Sequence, residues 1–181
     1  PQTPLVERAA VALIAPRAQE RSIAQTRSFT SMALLGQALA ALLTGDAGRL
    51  ERLQRLPDAL DDLLARAADL PRRLGADLDI QRIFFLGNGP LYGIACEAML
   101  KTKEISCSWT EAYHTLEFRH GPMAVADRDA LVVGLISDSA AEAEISVLQH
   151  MKRLGARILA LAESAGARDW SGIDELVELR S

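Results

Sequence analysis

Three short and almost wholly apolar runs, Arg82–Leu86 (RIFFL), Ala130–Ile136 (ALVVGLI) and Arg157–Ala162 (RILALA), limit what this chain can become more than any other feature. Strands that are apolar on both sides belong in a sheet covered on both faces. Glu175–Leu179 reads as a fourth strand. A helix is expected from the Gly87-Asn88-Gly89-Pro90 turn to about Ser106. Another is expected from Ser139 to about Leu154, where Ser139 and Glu142 have capping-box spacing. Strands alternating with helices predict a parallel α/β sheet, doubly wound by right-handed crossovers.

The segment before this alternation is helical in pattern. Thr26–Leu43 is apolar on most sides, as a buried helix would be, with Thr26 or Ser28 available as its cap. Between Arg49 and Leu74, leucines recur with Asp and Arg between them, which predicts an amphipathic helix pair or one helix containing Pro57. Gly75–Asp79 is read as a turn and a domain boundary. The expected organisation is an end piece of one subdomain over residues 1–45, a linking helical segment over 46–79, and a second subdomain over 80–181.

Charge and cysteine usage exclude several classes. A net charge of −4 offers no basic field for nucleic acid or an anionic membrane surface. Cys96 and Cys107 are too few for a disulfide framework or a four-ligand metal site. The longest apolar run, Met32–Leu43, is too short to span a bilayer. The expectation is a cytoplasmic protein with no bound metal. Since the sequence opens on Pro1, it is read as a piece of a longer chain.

Two loops at strand ends are candidate ligand contacts, because open α/β sheets bind ligands at the carboxyl ends of their strands. Gly87, Asn88 and Gly89 let the backbone approach a sugar or phosphate at a helix N-terminus. Their spacing, GxGxxxG, is one residue longer than the dinucleotide fingerprint, and no cofactor is expected. Ser137-Asp138-Ser139 is the other loop, and capping alone accounts for it.

The helix after the first loop carries Glu97, Lys101 and Glu104. These share one face at about 100° per residue. A solvated salt-bridge face is the plain alternative. In a partly dry cleft, however, a carboxylate beside a lysine is a tunable general base. Further on, HTLEFRHGP presents His120 directly before Gly121-Pro122. Glycine permits unusual backbone angles and proline restricts its predecessor, so the imidazole is pre-positioned.

The stretch LKTKEISCSWTEAYHTLEFRHGPMAV resembles the SIS (sugar isomerase) domain. It is most similar to the second SIS subdomain in the isomerase half of glucosamine-6-phosphate synthase and in related ketose/aldose-phosphate isomerases and deglycases. Lys101, Lys103, Glu104, Ile105 and Ser106 match that family's K-x-K-E-I-S. Glu111, Ala112 and Tyr113 match its E-A-Y, and His120, Gly121 and Pro122 its H-G-P. ERSIAQTRSFTSMALL, from Glu20 to Leu35, resembles the end of the first SIS subdomain.

The resemblance implies aldose–ketose isomerisation, or deamination or deglycation, of a hexose 6-phosphate or amino-sugar phosphate. Glu104 would be the base that moves a proton between C1 and C2, with Lys101 beside it. His120 would assist ring opening from a neighbouring subunit of a homodimer, and Glu20 and Ile23 would contact substrate. Departures from the family are also expected. The Ser/Thr-rich phosphate loop, the C-terminal tail lysine and a glutaminase domain have no counterpart in these 181 residues. The competing reading is a non-catalytic SIS module that senses a phosphosugar.

Overall fold

The computed structural model describes residues 3–179. They divide into two compact units at Pro57, which lies inside a helix. The first unit holds α1 (Pro4–Arg8), a 3-10 turn at Pro16–Ala18, α2 (Arg27–Thr44) and the opening turns of α3 (Ala47–Arg66). The second holds the rest of α3 and all the elements that follow.

The buried helix expected over 26–43 is not what forms. Of α2 only Ala41 is buried, while Met32, Leu42 and Leu43 are exposed. Its apolar composition therefore records surface left open in this chain, not core. Neither Thr26 nor Ser28 caps it through a side chain. Thr26 holds the N-cap position without a side-chain bond, and Glu20 Oε2 accepts from Ser28 N at 2.7 Å instead. Further along, the leucine-rich stretch resolves as a pair, α3 and α4 (Leu70–Gly75).

In the second unit five strands form one parallel sheet in the order β2-β1-β3-β4-β5. They are β1 (Arg82–Leu86), β2 (Trp109–Tyr113), β3 (Ala130–Ile136), β4 (Arg157–Ala162) and β5 (Glu175–Glu178). The helices α5 (Pro90–Ser106) and α6 (Ala141–Arg153) provide crossovers. Three strands stand where the apolar runs placed them, and β5 stands where the fourth was expected. The fifth, β2, was not anticipated. It is an edge strand, and the polar residues of WTEAY hide its alternation.

Successive side chains of the strands divide between two faces. Phe84, Leu86, Val132, Ile158 and Ala160 pack with Ile145, Leu148 and Met151 of α6. Leu131, Val133 and Leu159 pack with Ile83 and Phe85 and with Leu70 and Leu74 of α4. Each fully buried large side chain contributes roughly 1.5–3 kcal/mol. The strand order steps one way from β1 to β2 and the other from β3 to β4, so right-handed crossovers put α5 and α6 on opposite faces. An independent contact agrees. Thr110 pairs with Ile83, whose side chain lies on the α4 face, and the Thr110 hydroxyl donates to the Met99 carbonyl of α5 at 3.0 Å.

The capping box expected at Ser139 and Glu142 does not form. The helix starts one residue later than that box requires, Ala140 is its N-cap without a side-chain bond, and Glu142 is exposed. Cys107 is exposed and closes α5 in a left-handed conformation (φ 55°). Among the described residues no helix is long and apolar enough to cross a membrane.

Candidate active site

One turn of α5 brings the E-K-E residues together. Lys101 Nζ lies 2.6 Å from Glu104 Oε2 and 3.8 Å from Glu97 Oε1. Lys101 and Glu97 are largely shielded, with side chains 18% and 20% exposed, against 36% for Glu104. The cluster is thus half out of water, where a charge pair is stronger than in bulk solvent.

His120 belongs to a different part of the sheet. It ends a 3-10 turn, Glu117–His120, and is exposed. Its anchor is Phe118, fully buried between Phe84 (ring centroids 5.1 Å apart) and Tyr113 (5.4 Å). Gly121 follows at φ 138°, ψ −57°, a conformation that only glycine adopts freely, and Pro122 opens the next 3-10 turn. The expected rigid turn is therefore present. Phe118 packs in the cluster that contains α6, whereas Glu104 rides on α5 across the sheet. Within one chain the sheet lies between the two elements that carry Glu104 and His120.

The glycine loop is also remote from the E-K-E cluster. Gly89 N-caps α5, and Glu104 stands fifteen residues farther on, roughly 22 Å along the axis at 1.5 Å per residue. Gly87 is required by packing, since a Cβ there would sit 2.6 Å from the Leu91 carbonyl oxygen. Both ends of the Asn88 amide are engaged. Its Nδ2 donates to Glu144 Oε1 at 2.8 Å and its Oδ1 accepts from Thr115 N at 3.1 Å.

Glu144 was missed by the sequence reading. It is fully buried and also accepts from Ser137 N at 2.7 Å and from the Ser137 hydroxyl at 3.1 Å. A signal for it did exist, because Glu144 falls on the stripe Ala141, Leu148, Met151 that α6 turns to the core. A carboxylate at such a position needs several donors, and here three converge on it.

Next to this network, His114 stacks on Tyr92 with ring centroids 3.9 Å apart. A side-chain hydrogen bond with Cys96 raises the Tyr92 phenol above its ordinary value. The Tyr113 hydroxyl donates to Glu111 Oε2 at 2.5 Å, and that bond to a carboxylate pushes the phenol up to about 12. A cavity of about 530 Å³ opens beside the α6 N-terminus, lined by Asp138–Ala143 and by Arg168, whose guanidinium is 2.8 Å from Asp138.

Glu20 and Ile23 lie in the first unit. The Glu20 carboxyl is held below its ordinary value chiefly by the Ser28 N–H it accepts, and Ile23 is fully exposed. Among the described residues no group of three or more His, Cys, Asp or Glu is placed to hold a metal ion.

Residues 78–168, half of the chain, match the SIS domain family. The chain belongs to that family. A glutamine–fructose-6-phosphate aminotransferase [isomerizing] of Gluconobacter oxydans is 33% identical over 168 residues, 87% of this chain and 28% of the relative. The Pseudomonas putida protein of the same name is 32% identical over 179 residues, 93% of this chain and 29% of the relative. This SIS chain thus spans under a third of the curated relatives it matches. Among solved structures, a glucosamine-6-phosphate deaminase from Thermotoga maritima superposes with TM-score 0.75 at 28% identity, covering 89% of this chain and 49% of that one. The tagatose-6-phosphate ketose/aldose isomerase of Escherichia coli shares the fold, with TM-score 0.78 at 22% identity, over 92% of this chain and 45% of that one.

Proposed function

We propose that this chain is the SIS portion of an aldose–ketose isomerase for a hexose 6-phosphate or amino-sugar phosphate. In this reading residues 80–181 form a second SIS subdomain, residues 1–45 end a first one, and 46–79 link them. The observation that carries the proposal is the 2.6 Å contact of Lys101 with Glu104 in a half-shielded cluster. A base that lifts a proton from carbon must be ionised and close to a positive charge that stabilises the enediolate. The names of relatives at 28–33% identity, which specify fructose-6-phosphate and glucosamine-6-phosphate, support the substrate class.

In the proposed step Glu104 takes the proton from C2 of the open-chain aldose and delivers it to C1. One hydroxyl proton passes from O2 to O1 in the same conversion, so an aldose becomes a ketose with no net loss or gain. Lys101 offsets the negative charge that develops on the sugar oxygens. His120 transfers a proton between the ring oxygen and the anomeric hydroxyl, which opens the ring. Because the sheet lies between the carriers of Glu104 and His120, the histidine of each site is supplied by a second copy of the chain. The exposed apolar side chains of α2 support a homodimer as well.

The test follows the C2 proton in deuterated solvent with glucose 6-phosphate, glucosamine 6-phosphate and an open-chain analogue, in the full parent protein. Glu104→Gln is expected to abolish exchange with all three. His120→Asn is expected to slow the cyclic substrates and spare the open-chain analogue. Exchange that persists in Glu104→Gln removes Glu104 as the base, and a monomer by light scattering counts against a shared site. The exposure of both Glu104 and His120 in one chain favours a second reading, a phosphosugar sensor. Thermal stabilisation by the sugar phosphates with no C2 exchange would establish it.

A further inference from the structure

We infer that Glu144 is a positioning residue which sets the orientation of the Asn88 amide and, through it, the path of the segment that presents His120. The inference rests on the isomerase reading for its catalytic meaning, but its geometry is independent of that reading.

Glu144 lies at the carboxyl edge of the sheet where strand order reverses, between the loops that follow β1 and β3. Its carboxylate is an acceptor only, so it holds the NH2 end of the Asn88 amide toward itself. The carbonyl end is thereby turned to the Thr115 N–H, 3.1 Å away. The opposite orientation would set NH2 against N–H and leave a buried carboxylate facing a carbonyl oxygen, two repulsive contacts at once. One buried carboxylate thus ties together the loops after β1, β2 and β3.

The consequence runs along the chain. Thr115 is fixed by Asn88, and the neighbouring His114 carbonyl accepts from Phe118 N at 3.0 Å. Phe118 is buried against Phe84 and Tyr113, and His120 follows two residues later. The turn that carries the imidazole therefore has two anchors, an apolar one at Phe118 and a polar one at Thr115. Only the polar anchor depends on which way an amide points.

This logic can be inverted without changing shape. Glu144→Gln leaves one donor facing another whichever way its amide turns, its NH2 meeting either the NH2 of Asn88 or the Ser137 N–H. Adding Asn88→Asp restores a matched pair, because the carboxylate introduced by that change accepts both from the new amide and from Thr115 N–H. The remaining amide oxygen at position 144 still accepts from Ser137.

The experiment compares wild type, Glu144→Gln and Glu144→Gln/Asn88→Asp in two readouts that need no turnover. These are hydrogen exchange of the Thr115 amide and the NMR signals of the His120 imidazole. Glu144→Gln is expected to speed Thr115 exchange about tenfold or more and to shift or broaden the His120 signals. The double variant is expected to return both toward wild type. If Glu144→Gln does not fold, a folded double variant with wild-type Thr115 protection supports the inference equally. Wild-type behaviour in Glu144→Gln overturns it, as does a double variant no better than the single one.

A third measurement, C2-proton exchange in the same proteins, separates this inference from the proposed function. Loss of kcat in Glu144→Gln with recovery in the double variant extends the positioning role to catalysis. Absence of C2 exchange in the wild type overturns the isomerase reading, while the amide and imidazole readouts still decide the role of Glu144.

Discussion

Lys101 Nζ stands 2.6 Å from Glu104 Oε2, and that pair is only partly open to solvent. The contact joins residues three apart on one helix, an arrangement that usually contributes well under 1 kcal/mol to stability at a surface. Chemistry and stability should therefore separate when it is removed. Lys101→Met is expected to lower C2-proton exchange by about 10²-fold or more while changing unfolding free energy by less than about 1 kcal/mol. Lys101→Arg should recover part of the rate. Equal losses of activity and stability in Lys101→Met would make the pair structural.

Glu20 gives a pH-dependent helix cap. Its carboxyl is lowered from the ordinary 4.5 because the ionised form accepts the Ser28 N–H. A group whose folded value is depressed stabilises the fold above its unfolded value, and that contribution disappears as pH falls through the folded value. Acid titration below pH about 4.5 should therefore cost the wild type helicity in the first unit. Glu20→Gln should be less stable at neutral pH and lack that acid step in circular dichroism. An unchanged acid profile in Glu20→Gln would show that another carboxylate caps α2.

Tyr113 works in the opposite direction. Its phenol is raised to about 12 because the neutral hydroxyl donates to Glu111. Stability from this bond is complete below the unfolded value of about 10 and is lost as pH rises through 12. Ultraviolet titration should find one tyrosine ionising late. Tyr113→Phe should remove that late transition and flatten the loss of stability between these values. A late transition that survives in Tyr113→Phe would assign it to Tyr92, whose phenol is also raised.

Thr115 is 1% exposed, and its hydroxyl has no hydrogen-bond partner among the described residues. A buried hydroxyl without a partner costs about 1–3 kcal/mol. Thr115→Val keeps the branched shape and the backbone N–H that Asn88 accepts. It is expected to be neutral or to stabilise by up to about 1–2 kcal/mol, measured by denaturant unfolding. A loss above about 1 kcal/mol would reveal a partner for that hydroxyl in solution.

Several elements were legible because a local rule and the tertiary environment agreed. RIFFL, ALVVGLI and RILALA lie in a sheet covered on both faces, so continuous apolarity marks each of them. The E-K-E face needed only the helical period. Other positions misled local reading. Trp109, Glu111 and Tyr113 satisfy one another along an edge strand, through Trp109 Nε1 to Glu111 and Tyr113 Oη to Glu111, so WTEAY lacked the signature of a core strand. At Ser139, a one-residue delay in helix entry defeated the capping pattern.

By itself the sequence determined the parallel alternation, the helix that carries Glu104, and the Gly-Pro turn beyond His120, since each depends on neighbours within a few residues. Only the tertiary structure decided that α5 and Phe118 pack on opposite faces of the sheet, and that Asn88, Thr115, Ser137 and Glu144 meet in one buried network. The physical reason is strand order. Spacing along the chain sets which residues share a helix or strand, but the direction of each crossover sets which elements share a face. A buried carboxylate then collects donors from whichever loops that arrangement brings to it.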